Sequence, residues 1–260
     1  MKTHVFIEGR QQLSAMIHNY GNVPAGTPLV IFCHGFTGDK IGSNQLMLHI
    51  AQAIEADGKI AVRFDFAGSG ESGGEFAEDT RVSGWQEDLQ SVVSWVKNQP
   101  EFIGAPIFLL GHSLGGLVAL TYPDDAAIAG RMALSAVVYP VETFSAEEIF
   151  GKGLWEKAAA GETIANFFNK GFSLNNGIFA NDLIKGKYKP LEAAEKLTTP
   201  LLIIHGTADC VVPLGGSEEL YRRYKGKKIF HKLDGADHVF SGRHADVQTV
   251  IVDWLHKWEK

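Results

Sequence analysis

Ile107-Phe108-Leu109-Leu110-Gly111-His112-Ser113-Leu114-Gly115-Gly116-Leu117-Val118-Ala119-Leu120 is the stretch on which the fold turns. The apolar run that opens it reads as a strand buried on both faces. The apolar residues from Leu117 onward read as a helix that starts with no loop in between. At the junction, Gly111-His112-Ser113-Leu114-Gly115 has the Gly-x-Ser-x-Gly spacing of a serine pushed out on a sharp strand-to-helix turn. Glycines on either side relieve crowding where the serine backbone is forced into a strained conformation. Ser113 is therefore the candidate nucleophile.

The same spacing occurs at Gly70-Glu71-Ser72-Gly73-Gly74, but that copy stands four residues past an apolar run and polar residues follow it. Ser72 reads as a loop residue. Gly68-Ser69-Gly70-Glu71-Ser72-Gly73 also fits Gly-x-Gly-x-x-Gly, with Asp88 about 20 residues on, the spacing of a dinucleotide-binding loop. That mechanism needs the third glycine at a helix start and the acid at the end of the next strand. Asp88 lies inside a helical pattern instead, so no nucleotide cofactor is expected.

Outward from the elbow, similar apolar runs recur at Pro28 to Cys33, Ile60 to Phe66, Met132 to Val138 and Leu201 to Ile204, with a weaker one at Lys228 to Leu233. Helix-length segments separate them. Ser43 to Asp57, Val82 to Lys97 and a closing segment through Val247, Val250, Ile251 and Leu255 each carry one apolar stripe. Buried strands alternating with helices imply a mostly parallel sheet covered on both faces. Residues 4–8 and 13–18 alternate around Gly9-Arg10-Gln11-Gln12 and read as an antiparallel hairpin at one edge. The alternation breaks over residues 140–190, which hold Phe144, Phe150, Trp155, Phe167, Phe168, Phe172, Phe179 and Tyr188. The length exceeds an ordinary connection. We read 1–139 and 191–260 as the α/β core and 140–190 as an inserted cap over the strand ends.

A serine hydroxyl needs a base within hydrogen-bond reach. On this fold the acid and then the histidine follow the serine, each after a late strand. Leu201-Leu202-Ile203-Ile204-His205-Gly206-Thr207-Ala208-Asp209 places Asp209 there, and Asp234-Gly235-Ala236-Asp237-His238 places His238. Asp237 is the nearest rival acid, but it adjoins His238 and would struggle to reach its Nδ1; Glu142, after the sixth strand, is the other. The oxyanion of a tetrahedral intermediate needs preorganised donors. One is expected to be the N–H of Leu114, the other that of Phe36 in the loop His34-Gly35-Phe36-Thr37-Gly38. The His34 side chain is expected to brace that loop rather than take a proton.

Composition narrows the class. A net charge of −6 with no block of Lys and Arg argues against nucleic acid as a partner. The N-terminus lacks a signal-peptide h-region, and no run approaches a membrane span, so a cytoplasmic protein is the expectation. Cys33 and Cys210 should lie some 14 Å apart, at about 4.8 Å per strand step, too far for a disulfide. Two free, mostly buried thiols are expected. No His-Glu-x-x-His and no cysteine pair points to a metal.

With these residues placed, the chain resembles the α/β-hydrolase superfamily, and within it the small bacterial feruloyl (cinnamoyl) esterases. The resemblance rests on His34-Gly35-Phe36-Thr37-Gly38-Asp39-Lys40, Phe64-Asp65-Phe66-Ala67-Gly68-Ser69-Gly70-Glu71-Ser72, Gly111-His112-Ser113-Leu114-Gly115-Gly116 and Asp234-Gly235-Ala236-Asp237-His238-Val239-Phe240. It implies an eight-stranded, mostly parallel sheet with helices on both faces, no cofactor, and an insertion after strand six that walls the substrate pocket. It also implies a serine carboxylesterase acting through Ser113, His238 and Asp209 on feruloyl, cinnamoyl or other short-chain or aryl esters. A monoacylglycerol lipase, a thioesterase or a peptidase-like hydrolase would use the same three residues. The substrate is a small-molecule ester, and a homodimer is left open. Pro123 stands where the family's elbow helix usually continues, and proline breaks a helix interior, so that helix should be short.

Overall fold

The structure, a computed structural model, describes residues 1–21, 23–168, 171–175 and 177–258. Among these residues β1 (Lys2–Ile7), β2 (Leu13–His18), β3 (Leu29–Cys33), β4 (Ile60–Phe64), β5 (Ile107–His112), β6 (Ile128–Leu134), β9 (Leu201–Gly206) and β10 (Lys228–Leu233) form one eight-stranded sheet. Its order is β1-β2-β4-β3-β5-β6-β9-β10. The β1–β2 and β2–β4 pairs are antiparallel, and the remaining pairs are parallel. This is the α/β-hydrolase arrangement.

The uninterrupted apolar runs are explained by alternation across a sheet buried on both faces. Leu29, Ile31 and Cys33 face the core that holds α3 (Val82–Lys97), which the one-turn α2 (Phe76–Asp79) precedes, and α4 (Leu114–Thr121). Val30 and Phe32 face α1 (Leu46–Ala56) and α10 (His244–His256). α9 (Leu214–Arg223) covers Leu201 and Ile203 on the α4 side.

The sixth strand departs furthest from the sequence expectation. β6 begins at Ile128 and ends at Leu134, four residues before the expected Met132 to Val138. Arg131 misleads: it lies fully buried in mid-strand, where a charge is rarely placed. Its guanidinium donates to the carbonyls of Ala119, in the last turn of α4, and Tyr122, just beyond it, and to Thr199 Oγ1 at 2.5 Å. The cation thus satisfies helix-end carbonyls that have no partner of their own. α4 does stop after eight residues, with Tyr122 extended (φ −61°, ψ 133°) ahead of Pro123. The expectation of two buried thiols also needs correction. Cys33 is buried at the end of β3, but Cys210 is exposed in the turn after β9, and both are free.

Between β6 and β9 the chain forms α5 (Pro140–Ser145), α6 (Gly151–Ala159), the hairpin β7 (Ile164–Phe167) and β8 (Phe172–Leu174), α7 (Ile178–Ile184) and α8 (Pro190–Ala194). Phe144, Phe150, Trp155, Phe167 and Phe179 are buried together. Asp182 of α7 ties the segment to the start of α3, accepting from Ser83 N at 2.7 Å and Ser83 Oγ at 2.6 Å.

Candidate active site

β5 runs into α4 through a single residue, Ser113, at φ 55° and ψ −122°. A non-glycine residue held there costs on the order of 1–3 kcal/mol and persists only where its surroundings impose it. A Cβ on Gly111 would strike the carbonyl of Gly115, and one on Gly115 would strike that of Cys33. Those two glycines permit the turn. Ser113 N donates to Leu134 O, and Ser113 O accepts from Val137 N, each at 3.0 Å, which locks the elbow to the end of β6.

His238 and Asp209 come from the ends of β10 and β9. His238 Nδ1 meets Asp209 Oδ2 at 2.8 Å, and the Asp209 carboxylate is fully buried. Facing a carboxylate, Nδ1 carries the hydrogen, so Nε2 is left as the acceptor on the cleft side. Asp209 Oδ1 accepts from the amides of Val211 and Val212, both at 2.9 Å. Burial opposes ionisation of Asp209, but the bonds from His205 and His238 overcome it and hold its carboxyl far below the usual carboxylate range. The rival acids are placed otherwise. Asp237 Oδ1 accepts from Val239 N and Ser241 N, and Glu142 is exposed on α5.

Ser113, His238, Phe36, Gly35 and His112 line one cleft of about 70 Å³. Leu114 opens α4, so its N–H belongs to the first helical turn, which has no partner four residues back. Phe36 lies on the loop after β3. His34 braces that loop: Nδ1 meets Gly35 O at 2.9 Å, and Nε2 accepts from Phe66 N at 3.1 Å. The far end of the loop is held by Asp65, which accepts from Lys40 N at 2.6 Å and from Lys40 Nζ at 2.5 Å.

The glycine-rich stretch after β4 wraps this same aspartate. Glu71 N donates to Asp65 Oδ2 at 2.9 Å, and a Cβ on Gly70 would collide with the Asp65 carboxylate. Ser72 Oγ donates to Asp65 O at 2.6 Å and accepts from Ser14 N at 2.8 Å. Asp88 is taken by Arg10 Nε at 2.9 Å and by Ala67 N at 3.0 Å. Both decoy motifs are thus spent on internal structure.

Two histidines at the site had no assigned role in the sequence reading. His112 Nε2 donates to His238 O at 2.9 Å. Burial, and then the neighbouring His238, push its pKa down to about 3, so the ring is neutral. His205 lies in β9 with its ring fully buried and Nε2 3.2 Å from Asp209 Oδ2. The available signal was a histidine inside an apolar strand, since a buried polar ring must find partners. Among the described residues no group of three or more His, Cys, Asp or Glu is placed to hold a metal ion, and no helix is long and apolar enough to cross a membrane.

Residues 26–162 and 176–241 match the family described as serine aminopeptidase, S33. The chain is 28% identical over 242 residues to the protein YqkD of Bacillus subtilis, covering 90% of this chain and 73% of that one. It is 25% identical over 260 residues to a monoacylglycerol lipase of Mycolicibacterium smegmatis, covering 88% and 87%. Among solved structures, Est1E of Butyrivibrio proteoclasticus with ferulic acid bound superposes at a TM-score of 0.80, with 22% identity and 98% of each chain covered.

Proposed function

The chain belongs to the serine aminopeptidase S33 family of α/β-hydrolases, and from that premise we propose that it is a carboxylic ester hydrolase working through Ser113, His238 and Asp209. The observation that carries this reading is the 2.8 Å bond from His238 to the buried Asp209. It fixes the tautomer needed beside a cleft that Ser113 also lines. In the proposed reaction Ser113 Oγ attacks the ester carbonyl while His238 Nε2 takes its proton. Asp209 stabilises the imidazolium without itself being protonated. The amides of Phe36 and Leu114 donate to the oxyanion. His238 then returns the proton to the leaving alcohol, and water, deprotonated by the same ring, releases the acid.

For the acyl group the reading favours short chains. A cleft of about 70 Å³ supports it, as does the burial of most insert aromatics, which leaves few ring faces to stack on an aryl acid. A feruloyl or cinnamoyl group is the second reading, supported by the likeness to Est1E with ferulic acid bound. The lipase likeness keeps monoacylglycerols on the panel. An exposed free thiol at Cys210 supports a reducing, cytoplasmic compartment.

Hydrolysis of p-nitrophenyl acetate and butyrate, methyl ferulate, a monoacylglycerol and an aminoacyl p-nitroanilide tests the proposal, with Ser113→Ala as control. Loss of about three or more orders of magnitude in kcat, in a variant with unchanged circular dichroism, is the expected result. Near-wild-type turnover in Ser113→Ala would remove the nucleophile assignment. Turnover of the anilide alone would make the protein a peptidase.

A further inference from the structure

We propose that His205, held by Ser217, is a positioning residue that orients Asp209 at the carboxylate oxygen His238 also meets. The inference rests on the triad reading above and extends it by one hydrogen-bonded shell. His205 Nε2 lies 3.0 Å from Val212 O and 3.2 Å from Asp209 Oδ2. Its Nδ1 lies 2.7 Å from Ser217 Oγ. Both groups facing Nε2 are acceptors, so that nitrogen carries the hydrogen. Nδ1 is then the acceptor, and the Ser217 hydroxyl donates to it. The result is a directed chain: Ser217 Oγ–H to His205 Nδ1, His205 Nε2–H to Val212 O with Asp209 Oδ2 3.2 Å from the same nitrogen, and His238 Nδ1–H to that carboxylate oxygen. Both His205 and Ser217 are fully buried, so water cannot replace either link.

The placement follows from the sheet. His205 is the next-to-last residue of β9, Ser217 faces it from α9, and Asp209 closes the turn between these two elements. A carboxylate with two backbone amides on one oxygen and two imidazoles on the other has no freedom to rotate. Two effects on His238 result. The ring is held in its productive orientation, and the second donor draws charge off Oδ2, which tempers how strongly Asp209 favours the imidazolium. The other titratable groups near this chain are accounted for. His112, whose ring centroid lies 4.8 Å from that of His238, is kept neutral by burial. Asp237 is engaged by backbone amides, and Glu218 on α9 pairs with Lys232.

The test is the pH profile of kcat/KM for His205→Ala, His205→Gln and Ser217→Ala, alongside thermal unfolding. With the donor gone, Asp209 favours the imidazolium more strongly. The acid limb should therefore move to higher pH in His205→Ala, by about half a unit or more. kcat/KM at neutral pH should fall about tenfold with KM little changed. Ser217→Ala should move the profile in the same direction by less, and it keeps the test alive if His205→Ala does not fold. His205→Gln, which retains an N–H, should recover part of the loss. Profiles superimposable on wild type in Ser217→Ala and in any folded His205 variant, with only the melting temperature lowered, would make His205 a packing residue and overturn the inference. Activity retained in Ser113→Ala would instead remove the triad reading beneath it, so the two failures are distinguishable.

Discussion

At Asp209 the amides of Val211 and Val212 meet one carboxylate oxygen, and the rings of His205 and His238 meet the other. Those donors stabilise the charged form, and they are why its carboxyl titrates so far below its ordinary range despite burial. The sign of the linkage follows. A depressed carboxylate contributes stability that is fully present above its unfolded pKa and is lost as pH falls through the folded one. The wild type should therefore shed this increment only on acidification below the ordinary carboxylate range. Asp209→Asn should flatten the stability curve there and lower kcat by about three to four orders of magnitude, because the amide disturbs the His238 tautomer. Urea unfolding at stepped pH checks the first effect and steady-state kinetics the second. Parallel stability curves for the two proteins would contradict the linkage. Asp209 and His238 were legible because each follows a recognisable strand. His205 was not, because its role depends on which atoms its ring nitrogens meet.

The element with most bearing on the site is the segment between β6 and β9. The segment is rich in aromatics, and most of them close around one ring, that of Phe36. Phe36 lies 5.1 Å from Phe179, 5.3 Å from Phe144 and 5.7 Å from Phe167 between ring centroids, with Phe150 at 5.8 Å. The residue proposed to supply an oxyanion donor is thus anchored by its side chain in this segment. Phe150→Ala should cost about 3–5 kcal/mol through the cavity it leaves. It should also lower kcat more than it raises KM, since the lost contact acts on the oxyanion loop rather than on bound ester. Thermal denaturation and kinetics measure the two. A raised KM at constant kcat would mean that this ring binds substrate. Periodicity could reveal that such a segment existed, but ring spacing along the chain does not say which face a ring turns to. The same limit explains β6, where Arg131 hid four strand residues because its partners lie at the end of another element.

Across the whole molecule, the sheet separates features that the chain order alone leaves unrelated. Cys33 ends β3 under the elbow, and burial pushes its thiol well above the ordinary cysteine range, while Cys210 stands exposed beyond β9. A disulfide reagent should therefore modify Cys210 readily in the native protein and Cys33 only on unfolding. Rapid native reaction of both thiols would show that the core around β3 opens. The strand order places the ends of β5, β9 and β10 on one side, so residues from three distant stretches meet at one cleft. The sequence by itself determined the strand–elbow–helix unit, the alternation of buried strands with helices, and the order Ser113, Asp209, His238. These rest on local rules: side-chain period, and glycine where no Cβ fits. Only the tertiary structure decided that Ser217 and His205 back Asp209, that Asp65 is wrapped by the glycine turn, and that the rings between β6 and β9 enclose Phe36. Each of these is a contact between atoms brought together by sheet register and helix packing, and a linear pattern specifies which residues are apolar without specifying which of them touch.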